Sequence, residues 1–312
     1  KHYMVLAVHH MVFDGWSFQL LMRELSTLYA QYLALQPRSL TELKIQYADY
    51  SLWQRRQEQL DCFAPVLKYW LHQLKQAPQL SSFPADRLCS SSGGGFVGHS
   101  LSIPLRQRMI EFADNNSVTP YVVLLSAFKA LFYRYTGATD LVVGCAFANR
   151  SHPGLDKMIG LFVNTLPLRT QLHGSMTFQT LLERVDVVAL GGHQHRELPF
   201  DSLVKALQLP RDKNGLPLIQ VVLNYLNYPT QDWQVPGLKL STENVSTNTA
   251  KYHLTLTIAH TTQGMQLWAE YDKSIFLEST VNNLLQHFAH LLGEVIDNPL
   301  QSLNEIALIS KT

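Results

Sequence analysis

Apolar residues occur along this chain in two rhythms. At the start, Tyr3, Met4, Val5, Leu6, Ala7 and Val8 form a continuous run. It is short and partly β-branched, which predicts a buried strand over 3–8. From residue 16 the rhythm changes. Phe18, Leu21, Leu25, Leu28 and Tyr32 recur three or four positions apart and predict one apolar face of a helix. A second helical stretch is predicted over 46–76, with Trp53 and Trp70 as packing anchors. Residues 78–98 are then rich in Ser, Gly and Pro, with three serines and three glycines at 90–95. That is linker chemistry, and it predicts a boundary between a part spanning 1–82 and a part spanning 83–312.

Beyond the linker, strand and helix patterns interleave. Strands are predicted over 99–103 and 141–148, within 159–172, and over 218–226, 252–260 and 265–271. Helices are predicted over 105–115, 178–190 and 280–296. A further helix starts at Thr119 and Pro120, with the threonine as N-cap and the proline at the first helical position, and ends near Gly137. This interleaving indicates an α/β protein built in layers.

Composition narrows the function classes. The chain has 312 residues, 46% hydrophobic and 16% charged, as expected of a folded globular protein with a sizeable core. A net charge of +1 gives no electrostatic case for nucleic acid or an anionic membrane surface. No apolar run approaches the length of a bilayer span. Cys62, Cys89 and Cys145 are few, odd in number and far apart. They suit a reducing compartment rather than a disulfide framework. Cys145 lies in an apolar run and is expected in the core.

The sharpest candidate chemistry sits between the first strand and the first helix. His9, His10, Asp14 and Gly15 read HHxxxDG. A turn between rigid elements is where catalytic groups are held. An imidazole there takes a proton near neutral pH. An aspartate four residues on fixes the turn through a cation or backbone amides, and a glycine lets backbone approach a substrate. Two other readings exist: a satisfied core turn, and a metal site, since His and Asp are both ligands. Against the metal, the cysteines are distant and no second cluster stands at ligand spacing.

Six strings then fall into one order. They are His9-His-Met-Val-Phe-Asp-Gly-Trp-Ser17, Gln46-Tyr-Ala-Asp-Tyr-Ser-Leu-Trp-Gln54, Val143-Gly-Cys-Ala-Phe-Ala-Asn-Arg150, Ile159-Gly-Leu-Phe-Val-Asn-Thr-Leu-Pro-Leu-Arg169, His195-Arg-Glu-Leu-Pro-Phe-Asp201 and Arg211-Asp-Lys-Asn-Gly-Leu-Pro-Leu218. Through them the chain resembles the condensation domains of non-ribosomal peptide synthetases. The resemblance implies two lobes similar to chloramphenicol acetyltransferase, arranged as a V around a tunnel, with the N-terminal lobe only partly present. The family's motifs before HHxxxDG are absent. A strand also needs sheet neighbours, so residues are expected to be missing upstream; the complete two-lobe fold that the resemblance implies would need about a hundred or more of them. The 312 residues alone are expected to be inactive and prone to aggregate.

The resemblance also implies a reaction. The amine of an aminoacyl group on one carrier protein attacks the thioester of an acyl or peptidyl group on another. By motif, His10 is the catalytic histidine, and His9, Asp14, Gly15 and Arg150 structure the site or its oxyanion hole. Arg150, with Arg211 second, is the expected partner of Asp14. Trp16, Ser17, Asn164 and Asn224 are the expected tunnel-lining residues. No cofactor or metal is expected to bind directly, since substrates arrive on phosphopantetheine arms. Expected partners are an upstream donor carrier, a downstream acceptor carrier and an adjacent adenylation domain, in the cytoplasm, with no nucleic acid or membrane.

The chain departs from the family at several points. His195-Arg-Glu stands for His-Gln-Asp, Asp201 for Glu, and His253 for a common Asp, and the string from Arg211 lacks Ser-Arg-Asn. These bear on donor and acceptor preference more than on reaction class. The strings around Asp14 and Tyr47 resemble the subtype taking an L-configured donor. The physics suits the reaction. An α-amino group with a pKa of about 8 is mostly protonated at neutral pH. General-base help is worth about 10²–10⁴-fold, and holding two tethered reactants together contributes as much or more. The Gly15 N–H, at a helix start, is the candidate oxyanion donor. An epimerisation domain and a catalytically silent, partner-recruiting domain are the alternatives.

Overall fold

The computed structural model describes residues 2–86, 92–209, 217–226, 234–239, 248–261 and 264–309. After a 3-10 turn at His10–Val12 come α1 (Gly15–Leu33), α2 (Tyr47–Gln59) and α3 (Ala64–Gln73). Then follow β1 (Gly94–Leu101), α4 (Ile103–Asn115), α5 (Pro120–Thr136) and β2 (Asp140–Phe147). A second 3-10 turn, Leu155–Lys157, precedes β3 (Asn164–Gln171), α6 (Phe178–Gln194), α7 (Phe200–Leu207) and β4 (Val221–Leu226). The short pair β5 (Gln234–Val235) and β6 (Leu238–Lys239) leads to β7 (Leu254–Thr261), β8 (Gly264–Asp272) and α8 (Glu278–Asp297).

The chain divides into two compact units that interleave in sequence. The first holds Lys1–Leu67, Phe147–Asn164 and Gln231–Asn244; the second holds the rest. The junction read at 82/83 lies inside the second unit.

The second unit is built on a six-stranded mixed sheet, ordered β1-β8-β7-β4-β2-β3. β1, β8 and β7 are antiparallel neighbours, and β4 runs parallel to both β7 and β2. Along β8, Met265, Leu267, Ala269 and Tyr271 are buried while the residues between them are more exposed, the period of two that packs one face of a sheet. The central helix is α5, buried continuously from Val122 to Phe132. A helix apolar all round belongs in a core, and α5 packs on α4, α6 and α8. Thr119 caps it through the Val122 N–H, Pro120 occupies its first turn, and Gly137 ends it at φ 67°. That left-handed backbone is cheap for glycine.

Several sequence expectations are corrected. Residues 2–9 form no strand, and Tyr3 and Val5 are 71% and 86% exposed. No described strand offers them a ladder, and an apolar run without a ladder is not a strand. On α1 the buried residues are Ser17, Leu20 and Met22, whereas Leu25 and Tyr32 lie outside. Phe18, Leu21 and Leu28 are half-buried, so the apolar spacing marks only part of the packed side of this helix. The predicted helix over 46–76 is two helices. Cys62 N–H bonds Gln57 O and Asp61 N–H bonds Glu58 O, with Asp61 at φ 54°. This is a Schellman stop with aspartate where glycine is usual. α7 and the β5–β6 pair were not predicted. Trp70 is a core anchor, but Trp53 is 37% exposed. Cys145 is buried, as expected, and Cys62 is exposed; Cys89 lies outside the described residues.

Candidate functional site

The two histidines occupy the first 3-10 turn. His9 caps it, its Nδ1 accepting the Met11 N–H at 3.2 Å. His10 opens it, and its Nδ1 lies 2.5 Å from the Phe13 carbonyl oxygen. A carbonyl only accepts, so Nδ1 carries a proton and donates it to Phe13 O. Both residues are exposed. The structure thus presents one exposed imidazole whose Nδ1–H is committed to the backbone, with Nε2 facing away from that bond.

Asp14 anchors the turn from beneath. It is the N-cap of α1 and 4% exposed. Its Oδ1 accepts from the Ser17 N–H at 2.8 Å and from Arg150 Nη2 at 2.9 Å, and lies 2.7 Å from Ser17 Oγ. Its Oδ2 accepts the Phe162 N–H at 3.0 Å. A carboxylate buried this deeply needs such partners.

Arg150 is the cation of this network, as preferred from the sequence; Arg211 lies outside the described residues. Its Nη1 donates to the Leu155 and Met158 carbonyls, and its guanidinium sits 4.1 Å over the Phe162 ring. Burial pulls the guanidinium pKa down, and Asp14 opposes that pull. Ser17 Oγ further accepts the Gly160 N–H at 3.0 Å and lies 2.8 Å from Gly160 O. The reading of Ser17 as tunnel-lining is therefore corrected: it is fully buried and joins α1 to the segment at Gly160.

An aromatic floor completes the unit. Tyr50, Leu155, Met158 and Phe162 form a buried cluster with Tyr47 against it. Tyr47 and Tyr50 lie 5.3 and 4.7 Å from the Phe162 ring, centroid to centroid, and Tyr47 donates to Leu161 O at 3.0 Å. Gly160 is required here, since a Cβ would fall 2.2 Å from Tyr47 Cδ2. Sequence reasoning missed Gly160, Tyr47 and Phe162 as parts of the site, although each stands inside one of the six strings.

The remaining candidates are spread out. Gly15 is the first helical residue of α1, so its N–H has no intrahelical partner. Trp16 is 39% exposed, its Nε1 donating to Asp156 O at 2.9 Å. Asn164 opens β3 and is 9% exposed. Asn224, on β4 of the second unit, accepts from the Ala146 N–H at 3.4 Å. His195 also belongs to that unit; its ring stacks on Tyr69 and its carbonyl accepts from Trp70 Nε1 at 2.8 Å. Among the described residues no group of three or more His, Cys, Asp and Glu could hold a metal, and no helix is long and apolar enough to cross a membrane.

Comparison with known proteins gives this geometry its context. A family model described as Condensation domain matches residues 1–312. A linear gramicidin synthase subunit of Brevibacillus parabrevis is 36% identical over 98% of this chain and 6% of its own length. Surfactin synthase subunit 1 of Bacillus subtilis is 31% identical over 100% of the chain and 9% of its own length. The chain thus spans a small fraction of these relatives. Among solved structures, the X-domain from teicoplanin biosynthesis superposes with a TM-score of 0.85 at 23% identity, over 97% of this chain and 71% of that one. The first condensation domain of the calcium-dependent antibiotic synthetase gives 0.82 at 19%, over 97% and 66%. The mixed α/β fold is that of condensation domains, and the chain belongs to the condensation domain family of non-ribosomal peptide synthetases.

Proposed function

We propose that this chain forms an amide bond between two carrier-bound substrates in non-ribosomal peptide synthesis. The acceptor's amine nitrogen attacks the donor's thioester carbonyl carbon. The C–N bond forms, the C–S bond breaks, and the departing thiolate takes up the proton released by the amine. His10 carries this reading. Its Nδ1–H is committed to Phe13 O, so Nε2 is left to accept from the amine or to hold it in line. The Asp14–Arg150 network keeps the turn in place and stays out of the proton path, because both side chains are 3% exposed. The Gly15 N–H is the proposed oxyanion donor. Substrates are expected on phosphopantetheine arms of an upstream and a downstream carrier, with an adenylation domain adjacent and the whole in the cytoplasm.

The test is intact-protein mass spectrometry of both carriers after mixing loaded carriers with the full-length protein. The acceptor carrier gains the donor's acyl mass, and His10→Ala abolishes the gain while leaving the melting curve in place. Condensation by His10→Ala at the wild-type rate would remove the assignment. Cα inversion with no mass transfer would favour epimerisation instead, and carrier capture without either would favour a silent domain.

A further inference from the structure

Asn149 stands between the end of β2 and Arg150, and its backbone is left-handed, with φ 48°. A non-glycine residue meets a steric penalty there, from its Cβ against the neighbouring carbonyl. Several others in this chain, such as Asp61 and Gln208, sit at a helix end, where a stop bond holds the conformation. Asn149 follows a strand and ends no helix. Asparagine often enters this region because its carboxamide bonds nearby backbone. Here that does not apply. Asn149 is 8% exposed, and among the described residues its Oδ1 is buried without a hydrogen-bond partner. The turn is therefore not held by that oxygen.

The consequence of the turn falls on the next residue. Arg150 is bonded only at its tip. Nη1 donates to the Leu155 and Met158 carbonyls, and Nη2 donates to Asp14 Oδ1 at 2.9 Å and to Ser17 Oγ at 3.1 Å. Among the described residues its Nε is buried without a partner. Polar bonds thus fix the far end of the side chain, and the backbone fixes the near end. Both ends of the segment are anchored as well. β2 lies in the sheet, and the Gly160 and Phe162 N–H groups bond Ser17 Oγ and Asp14 Oδ2. Returning Asn149 to the right-handed region would rotate its φ by about 100° or more. That rotation has to be absorbed between the two anchors, and Arg150 is the residue beside it.

We propose that Asn149 is a positioning residue, whose left-handed backbone aims the Arg150 guanidinium at Asp14 and so holds the turn that bears His10. The proposal rests on the reading of His10 as the catalytic group. Asn149 acts through Arg150 and Asp14, not on the substrate. Glycine meets the same backbone demand, and a β-branched residue does not.

The test compares the full-length protein with Asn149→Gly, Asn149→Val, Arg150→Met and the double variant of the last two, using loaded carriers. Asn149→Gly, the conservative change for this backbone, is expected to stay within about threefold of the wild-type kcat. Asn149→Val is expected to lose about tenfold or more in kcat, with KM for the loaded carriers within about twofold, because misplacement costs turnover rather than binding. In the double variant, Asn149→Val adds no further loss. An Asn149→Gly protein as slow as Asn149→Val would mean that the carboxamide matters and not the backbone, and would overturn the proposal. So would a wild-type kcat in Asn149→Val, or losses that multiply in the double variant. If Asn149→Val does not fold, Asn149→Ala is judged in its place by the same outcomes. If Arg150→Met does not fold, the comparison with glycine decides alone. If the wild type transfers no acyl group, the function reading has failed, and urea unfolding decides: penalties that fall short of adding support the positioning role, and additive penalties overturn it.

Discussion

Arg150 and Asp14 meet at 2.9 Å with both side chains 3% exposed, although 136 positions separate them in sequence. The pair ties the turn that bears His9 and His10 to the segment following β2. It also converges on the helix cap of α1, so one carboxylate serves as both cap and counter-ion.

Asp14→Ala is expected to cost about 3–5 kcal/mol, because it strands a buried guanidinium. Arg150→Met should cost a similar amount, and the double variant less than the sum of the two. Urea unfolding of the three variants measures the coupling. A wild-type melting curve for Asp14→Ala would show that the pair does not hold the turn.

Gly160→Ala forces a methyl into the Tyr47 ring. The expected loss is about 1–3 kcal/mol, with reduced turnover, because Gly160 also positions Ser17 through its N–H. In a Tyr47→Ala background the same change should cost little. Equal penalties in both backgrounds would locate the strain elsewhere.

Trp70 is 2% exposed and donates to the His195 carbonyl at 2.8 Å, beside the Tyr69–His195 stack at 3.7 Å and 4°. Trp70→Phe keeps a large ring but leaves that carbonyl unpaired, for about 1–3 kcal/mol. Trp70→Ala should cost about 3–5 kcal/mol. Chemical denaturation reads both, and a Trp70→Phe protein as stable as wild type contradicts the hydrogen-bond assignment.

Lys129 is fully buried, with Nζ donating to Leu168 O at 2.8 Å and Thr170 Oγ1 at 2.6 Å. Burial lowers its pKa from 10.5 to about 7. Above pH 7 the unfolded chain therefore holds more protons at this site than the folded one, and stability rises with pH. Cys145, pushed from 9.0 up to about 12 by burial, works in the opposite sense above pH 9. Between pH 7 and 9, Lys129→Met should lose the rise. The stability difference between the variant and wild type should move in favour of wild type by up to about 1.4 kcal/mol per unit as pH increases. A gap that stays constant with pH would mean that Lys129 does not titrate in this range.

The elements of the second unit were largely legible because their signals are local: Thr119 with Pro120, Gly137, and the alternation along β8. The pairing of Asp14 with Arg150 was legible because side-chain type carries it. What escaped depends on backbone or on distant partners. Asp61 ends α2 in a left-handed conformation that its residue type permits but does not announce. Phe162 meets Asp14 through its N–H, which any residue but proline possesses. Ser17 was read as tunnel-lining because a buried hydroxyl reads as polar until its contacts with Asp14 and Gly160 are known. The run over 3–8 has the composition of a strand, yet composition does not supply a ladder.

The order of strands in the sheet sets a timetable for folding. Among the described strands β1 lies at an edge, with β8 as its one neighbour and Gly94 opposite Asp272. On the ribosome β1 emerges and then waits for its partner, roughly ten to forty seconds at about 5–20 residues per second. Joining such distant segments is also the slow kind of contact in refolding. The last hairpin to be translated is the one that closes the sheet, so a stall or truncation before β8 leaves the first strand of this unit without a neighbour.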